Sequence, residues 1–281
     1  MKARIALLLV VSVLGVMLFT ACTATTPAPT PQASAPQAPN PQPAATVGAP
    51  AATPSTAPES PAVAGSQDMG AIQRDLTLDP SITTDADSWL VSQSLYEGLV
   101  KLDANKQIQP ALATSWLISE DGLDYIFTLR PDVKFQDGTL VDADLVVANF
   151  TRWFDPQDPL HGGYNYEAWR TQFLGFKGEK DANKQPLSIF DGAQKVDNLT
   201  VLLHLSRQDP EMLNKLAQPA FAILNPKIVK QLGAQYGKKA GTVSGTGPYV
   251  IKTWSDTELI LEANPNYYET VQPAILQFKW R

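Results

Sequence analysis

A mixed fold of strands and helices, α/β or α+β, is predicted by three features of the sequence. From about Gln67 onward the composition turns to Trp, Tyr, Phe, Leu and Val with Gly and Asp between them, leaving about 215 residues for one substantial core or two lobes. Short alternating apolar runs flank Asp-Gly dipeptides, the pattern of hairpins. Elsewhere apolar residues recur at helical spacing behind a capping side chain. Strands and helices interleaved on this scale argue for layers of both.

Taken in order, Thr83 to Tyr96 reads as a helix, with Ala86, Leu90 and Leu95 joined by Trp89 and Val91 on a broad apolar face and Gly98 after its end. Leu99 to Leu102 is a short strand before the turn Asp103-Ala104-Asn105. Ala113–Leu117 and Tyr125–Leu129 form a hairpin about Glu120-Asp121-Gly122. Val133 to Phe135 is a short strand ending at Asp137-Gly138. Asp142 then caps a helix to about Phe154, because its carboxylate can accept from the free N–H groups of the first turn. Val146, Phe150 and Trp153, with Leu145 and Asn149, mark one face, and Pro156 and Pro159 end it. Residues 155–186 read as a long loop holding a short helix near Glu167 to Phe173. Thr200 to Leu205 is a strand, Pro210 to Leu216 a helix, Phe221 to Leu224 a short strand, and Pro226 to Leu232 a helix with Pro in its first turn. Tyr249–Trp254 and Glu258–Glu262 form a hairpin about Ser255-Asp256, and Ile275 to Trp280 is one more strand.

The N-terminal quarter has a different character. Lys2 and Arg4 precede an almost unbroken apolar run from Ile5 to Phe19, about the length of a signal-peptide core and short of the ~20 residues a spanning helix needs. The run closes on Phe19-Thr20-Ala21-Cys22, and Cys22 is the only cysteine. This arrangement resembles a bacterial lipoprotein signal, which implies a signal peptide over 1–21, a lipid on Cys22 and an extracytoplasmic protein held to the bacterial membrane. An ordinary secretory signal with an incidental cysteine is the alternative. From there to residue 66 the chain is Pro, Ala, Thr, Ser and Gln, with Glu59 the single charge. With almost nothing to bury it cannot offset its ordering entropy, so 22–66 is expected to be a disordered, semi-rigid tether or a glycosylated stalk.

Composition excludes several classes of function. The balance of 22 Lys+Arg against 28 Asp+Glu, net −6, speaks against a nucleic-acid binder. One cysteine and two histidines, His161 and His204, exclude a disulfide framework, a Cys-based zinc site and an iron–sulfur cluster. Neither His-Glu-x-x-His nor Gly-x-Ser-x-Gly occurs, so no catalytic residue, metal ligand or cofactor is assigned. Gly245-Thr246-Gly247-Pro248 lacks the Lys-Ser/Thr ending of a phosphate loop and precedes a strand, which makes it a backbone turn.

Several strings then match one family in identity, order and spacing. They are Leu78-Asp79-Pro80, Leu95-Tyr96-Glu97-Gly98-Leu99, Pro110 to Trp116, Leu129 to Thr139, Phe173 to Gly178, Gly245 to Tyr249, and Leu261 to Tyr268. Over about Asp75 to Trp280 the chain resembles the family 5 extracellular solute-binding proteins of peptide, dipeptide and nickel ABC importers. The resemblance implies an α/β, periplasmic-binding-protein-like type II clamshell. It maps the folded part to 67–281, with lobe I at about 67–95 and 197–281 and an inserted subdomain at about 96–196. It also implies that a second lobe is missing and that the chain is an N-terminal portion. Expected partners are a peptide ligand, the importer's permease and ATPase, and the membrane through Cys22, with the chain itself a monomer. Nickel, haem, sugar or opine are alternative ligands, and a non-transport surface domain or a secreted hydrolase are alternative functions. In the family, the loop after the Leu-Asp-Pro string runs along the ligand, which here points to Thr83, Thr84, Asp85 and Ala86. The turn carrying Thr246 and Gly247 is expected to face the cleft as well. Main-chain groups in such loops would pair with an extended peptide whatever its sequence.

Overall fold

The computed structural model describes residues 65–239 and 241–281. The predicted signal, Cys22 and nearly all of the 22–66 tether lie outside the described residues. Two four-stranded sheets and five helices carry the rest.

The first sheet runs in the order β1 (Ser66–Ile72), β10 (Ile275–Trp280), β9 (Glu258–Ala263), β8 (Tyr249–Trp254). β1 is parallel to β10, and the other pairs are antiparallel. Against it packs α1 (Ala86–Leu95), and Ile72, Leu78, Val91, Leu95, Leu259, Leu261 and Phe278 fill the space between them. The predicted hairpin and final strand are present. β1 adds a strand where no apolar alternation announced one, because of its seven residues only Ile72 is buried.

The second sheet has the order β4 (Ala113–Ile118), β5 (Asp124–Leu129), β7 (Thr200–Leu205), β6 (Phe190–Asp197), all antiparallel. A small ribbon of β2 (Val100–Leu102) and β3 (Ile108–Pro110) lies before it. Phe127, Val201, Leu203 and Leu205 point inward to α2 (Ala143–Phe154) and α3 (Glu167–Phe173). Asp142 caps α2 as predicted, accepting the Leu145 N–H at 2.9 Å. Phe150, Trp153, Trp169, Phe173, Phe190 and Phe221 form one aromatic core. In it Phe150 and Trp153 meet edge to face at 4.9 Å and Trp153 and Phe221 at 5.7 Å.

Strand pairing shifts the expected internal boundary. β7 starts at Thr200, beyond residue 196, yet it sits between β5 and β6, and the same cluster continues through α4 (Met212–Leu216) to Ile223. The unit built on the second sheet therefore extends past 196. The expected strand Phe221–Leu224 is not one. The Ile223 N–H goes to Glu97 O and the Leu224 N–H to Asn149 Oδ1, two partners from different elements rather than a ladder. Val133 to Phe135 likewise makes a single bridge, Lys134 to Leu140. α5 (Pro226–Leu232) follows, capped by Asn225.

Trp153 has no exposed surface and touches Phe150 on its own helix and aromatic rings from two other segments, Trp169 and Phe221. Trp153→Ala is expected to cost about 3–5 kcal/mol in urea unfolding. A near-neutral midpoint would mean that this face of α2 is not the core.

Candidate functional site

The parallel pair β1 and β10 ends at Ile72 and Trp280, and the first turn of α1 lies beside both ends. The Gln73 N–H and Arg281 Nη2 each donate to Asp87 Oδ2, at 2.9 and 2.6 Å, and the Arg281 N–H donates to Ile72 O at 2.9 Å. Open α/β sheets present their ligand crevice outside the carboxyl ends of parallel strands. The rim here carries Thr83, Thr84, Asp85 and Ala86. Thr84 and Ala86 are exposed, and Thr83 and Asp85 are half-buried. Asp85 caps α1, accepting the Ser88 N–H at 2.6 Å, and its own N–H donates to Thr83 Oγ1 at 3.1 Å. Partial burial pushes the Asp85 carboxyl up, but the hydrogen bonds from Ser88 outweigh it and leave it below the ordinary value. The predicted helix start at Thr83 is thus displaced to Ala86, because Asp85 is spent as the cap.

A short 3₁₀ turn, Pro80–Ile82, holds this rim from below. Asp79 Oδ1 accepts from the Ser81 N–H at 3.2 Å and from Ser81 Oγ at 2.6 Å. Asp79 Oδ2 is ion-paired with Arg152 of α2, and both side chains are almost wholly buried. Trp89 Nε1 donates to Pro80 O at 3.0 Å, and Tyr96 Oη to Leu78 O at 2.7 Å.

Thr246 and Gly247 lie elsewhere. The Gly247 N–H donates to Leu95 O at 3.0 Å, at the last turn of α1, and Asn264 Nδ2 donates to Gly247 O at 2.9 Å. A Cβ on Gly247 would sit 2.5 Å from the Leu95 carbonyl carbon, and one on Gly245 would collide with Leu95 O, so the segment approaches the helix as only glycine allows. Both Thr246 and Gly247 are buried. The six expected residues therefore occupy opposite ends of a ten-residue helix, roughly 15 Å apart by helical rise. Thr83 to Ala86 stay together, and Thr246 and Gly247 are not brought to them.

What surrounds Thr246 was not singled out from the sequence. Glu97, nine-tenths buried, receives Tyr267 Oη at 3.0 Å and the Tyr268 hydroxyl on Oε1, with the Thr246 side chain beside the same carboxyl, and its Oε2 is sealed from solvent. Arg130 lies over the Tyr268 ring at 4.1 Å. Glu97 and the two tyrosines belong to two of the strings that carried the resemblance, and nothing in either string says that they meet. The histidines are accounted for locally. His161 Nδ1 is 2.8 Å from Arg152 O, with its ring packed on Tyr166 and Phe176. His204 Nδ1 is 2.5 Å from Asp124 Oδ1. Among the described residues no three His, Cys, Asp or Glu side chains converge as metal ligands would.

The sequence profile of the bacterial extracellular solute-binding proteins, family 5 (middle region), matches residues 107–281. The glutathione-binding protein GsiB of Salmonella paratyphi A is 32% identical over 207 residues, covering 73% of this chain. The chain spans only 36% of that curated relative's length. HbpA2 of Haemophilus parasuis superposes with a TM-score of 0.66 at 28% identity, over 77% of this chain and 43% of that one. The substrate-binding domain of an oligopeptide ABC transporter from Bacillus anthracis gives 0.62 at 29% identity, over 77% and 42%.

Burial pushes the Glu97 carboxyl above its ordinary value, against the hydrogen bonds from Tyr268 and Tyr267 that favour its ionised form. The folded state then holds this proton more tightly than the unfolded chain. The stability it contributes is fully present below the unfolded value and is lost as pH rises through the folded one. Glu97→Gln stays neutral throughout, so its stability relative to the wild type should improve between about pH 4 and about pH 8. Urea midpoints at the two pH values test this, and an unchanged difference would contradict it.

Proposed function

The chain belongs to the bacterial extracellular solute-binding proteins of family 5, and from that premise we propose that it supplies one wall of a short-peptide site serving an ABC importer. The observation that carries this reading is the rim at Thr83 to Ala86. It offers main chain to solvent at the carboxyl ends of β1 and β10, where an α/β sheet holds its ligand. The Thr84 N–H makes no hydrogen bond among the described residues, so it is free to pair with a peptide carbonyl. Main-chain pairing recognises what all peptides share, and nothing at this rim demands one side chain. GsiB carries glutathione in its name, and glutathione is a modified tripeptide, so it is the first ligand to try. In this reading lobe I and the inserted subdomain act as one rigid wall, and the protein binds its cargo without transforming it. Thr246 and Gly247 act by packing the far end of α1.

The test is calorimetry with glutathione and a set of di- to pentapeptides, on the wild type and on Thr84→Pro. Residue 83 is already extended, at φ −127° and ψ 155°, as the residue before a proline must be. Removing one main-chain donor should weaken binding by about tenfold, near 1 kcal/mol, with the melting temperature unchanged. Equal affinity of the two proteins would place the peptide elsewhere.

We further propose that Cys22 bears the lipid that anchors the protein outside the cytoplasmic membrane, with residues 22–66 as the spacer. Cys22→Ser should move the protein from the membrane fraction to the soluble fraction, or leave it uncleaved. Normal cleavage with continued membrane attachment would refute the anchor.

A further inference from the structure

The second sheet has two edges, and they differ in character. At one edge β6 carries Asp191, Lys195 and Asp197, and its pairing with β7 breaks register twice. Charges and broken register keep a strand edge from pairing with another chain. β4, at the other edge, has neither a charge nor a proline from Thr114 to Ser119. Its one irregularity lies at its start, between Ala113 and Ser115, so the rest of the strand is regular.

The outward groups of β4 follow from its pairing. The Ser119 N–H donates to Asp124 O at 2.9 Å, and antiparallel pairs alternate. Leu117 therefore turns its main-chain groups to β5, while Trp116 and Ile118 turn theirs away from it. Among the described residues no strand lies beyond them. The side chains on this edge are apolar and in solvent. Leu117 is 70% exposed and Ile118 48%. Leu117 stands on the outer face of the sheet, in one row with Ile126 of β5 and Leu202 of β7. Trp116 and Ile118 stand on the inner face, opposite Phe127 and Tyr125.

We propose that β4 pairs antiparallel with β4 of a second copy of this chain, joining the two four-stranded sheets into one.

The strand is complementary to itself. A two-fold axis at Leu117 sets Trp116 opposite the partner's Ile118 and Ile118 opposite the partner's Trp116. Those are the residues with outward main-chain groups, so each pair can exchange both of its N–H···O bonds. Leu117 meets the partner's Leu117 at the closer, non-hydrogen-bonded spacing, and the outer row runs on from Leu202 and Ile126 through Leu117 into its copy. Charge selects this occupant. Glu120, the first charged residue after the strand, comes opposite the partner's Thr114 rather than another carboxylate. Two chains of net charge −6 can thus meet along a seam that carries no like-charge pair. The resulting dimer departs from the monomer that the family resemblance implies.

Sedimentation velocity of the full chain is the test. The mass should rise toward that of two chains as concentration increases. Leu117→Lys and Leu117→Glu each bring like charges face to face across the axis, at a side chain that lies mostly in solvent. Each alone should stay at the mass of one chain with an unchanged melting temperature. An equimolar mixture of the two should regain the doubled mass, because Lys then meets Glu. Ile118→Pro removes an outward N–H and leaves the bonds to β5 in place, so it should weaken association roughly tenfold or more. The N-terminal apolar run is common to all these chains, so differences among them read the β4 seam. If Ile118→Pro fails to fold, the Lys and Glu variants decide alone. The proposal is overturned by a wild type that stays a single chain up to about 1 mM. It is also overturned by a dimer that survives Leu117→Lys or a folded Ile118→Pro, or by a Lys and Glu mixture that does not associate.

Discussion

The buried ion pair between Asp79 and Arg152 is the constraint on which the rest of the structure depends. The two residues lie 73 positions apart, one in the turn that leads into α1 and the other on α2 inside the aromatic core. Burying two charges costs several kcal/mol per ion, and the cost is recovered only when the remaining polar atoms are also engaged. Asp79 meets this condition through Ser81, and Arg152 meets it in part, through Nε to Leu160 O at 3.2 Å and the Tyr166 ring at 5.5 Å, while its buried Nη1 makes no hydrogen bond. An apolar pair of the same volume would do as much for stability. What the ion pair adds is a single allowed position for Pro80 to Ile82, and so for the four rim residues that follow. The rim is exposed, yet its foundation lies deep in the protein.

α1 transmits that position across the molecule. Its N-terminus is set by the Asp85 cap and by Asp87, which receives the ends of β1 and β10. Its C-terminus is clamped by Gly247 and Asn264, and beyond it Glu97 gathers two tyrosines from the far end of β9. A helix held at both ends cannot slide. The exposed turn at Thr83 to Ala86 and the buried Glu97–tyrosine cluster are consequently fixed at the two ends of one strut.

A comparable division of labour appears at Asn149. It stands on the apolar face of α2, where it donates to Leu145 O and Leu224 O and accepts from the Leu224 N–H. A buried amide with its partners in place pins the segment that follows the 3₁₀ turn ending at Phe221, without any sheet. Apolar composition decided that the segment is inside. The side chain opposite it decided its conformation.

Local signals in the sequence determined much of this protein. The Asp142 cap and the apolar spacing behind it place α2, Pro226 places α5, and the Asp-Gly and Ser-Asp turns place two hairpins, since each signal acts within a few residues of itself. Edge strands gave no such signal. β6 reads Phe-Asp-Gly-Ala-Gln-Lys-Val-Asp, buries one residue and breaks register twice, so its existence depends on β7 lying beside it. The resemblance of strings such as Leu78-Asp79-Pro80 and Leu95 to Leu99 was legible as family membership, and with it the mixed α/β fold shared with periplasmic binding proteins. What only the tertiary structure decided are the meetings across long separations: Asp79 with Arg152, Glu97 with Tyr267 and Tyr268, and Gly247 with Leu95. Sequence periodicity reports which face of an element is buried. It does not report what lies against that face, because the partner is chosen by the packing of the whole chain.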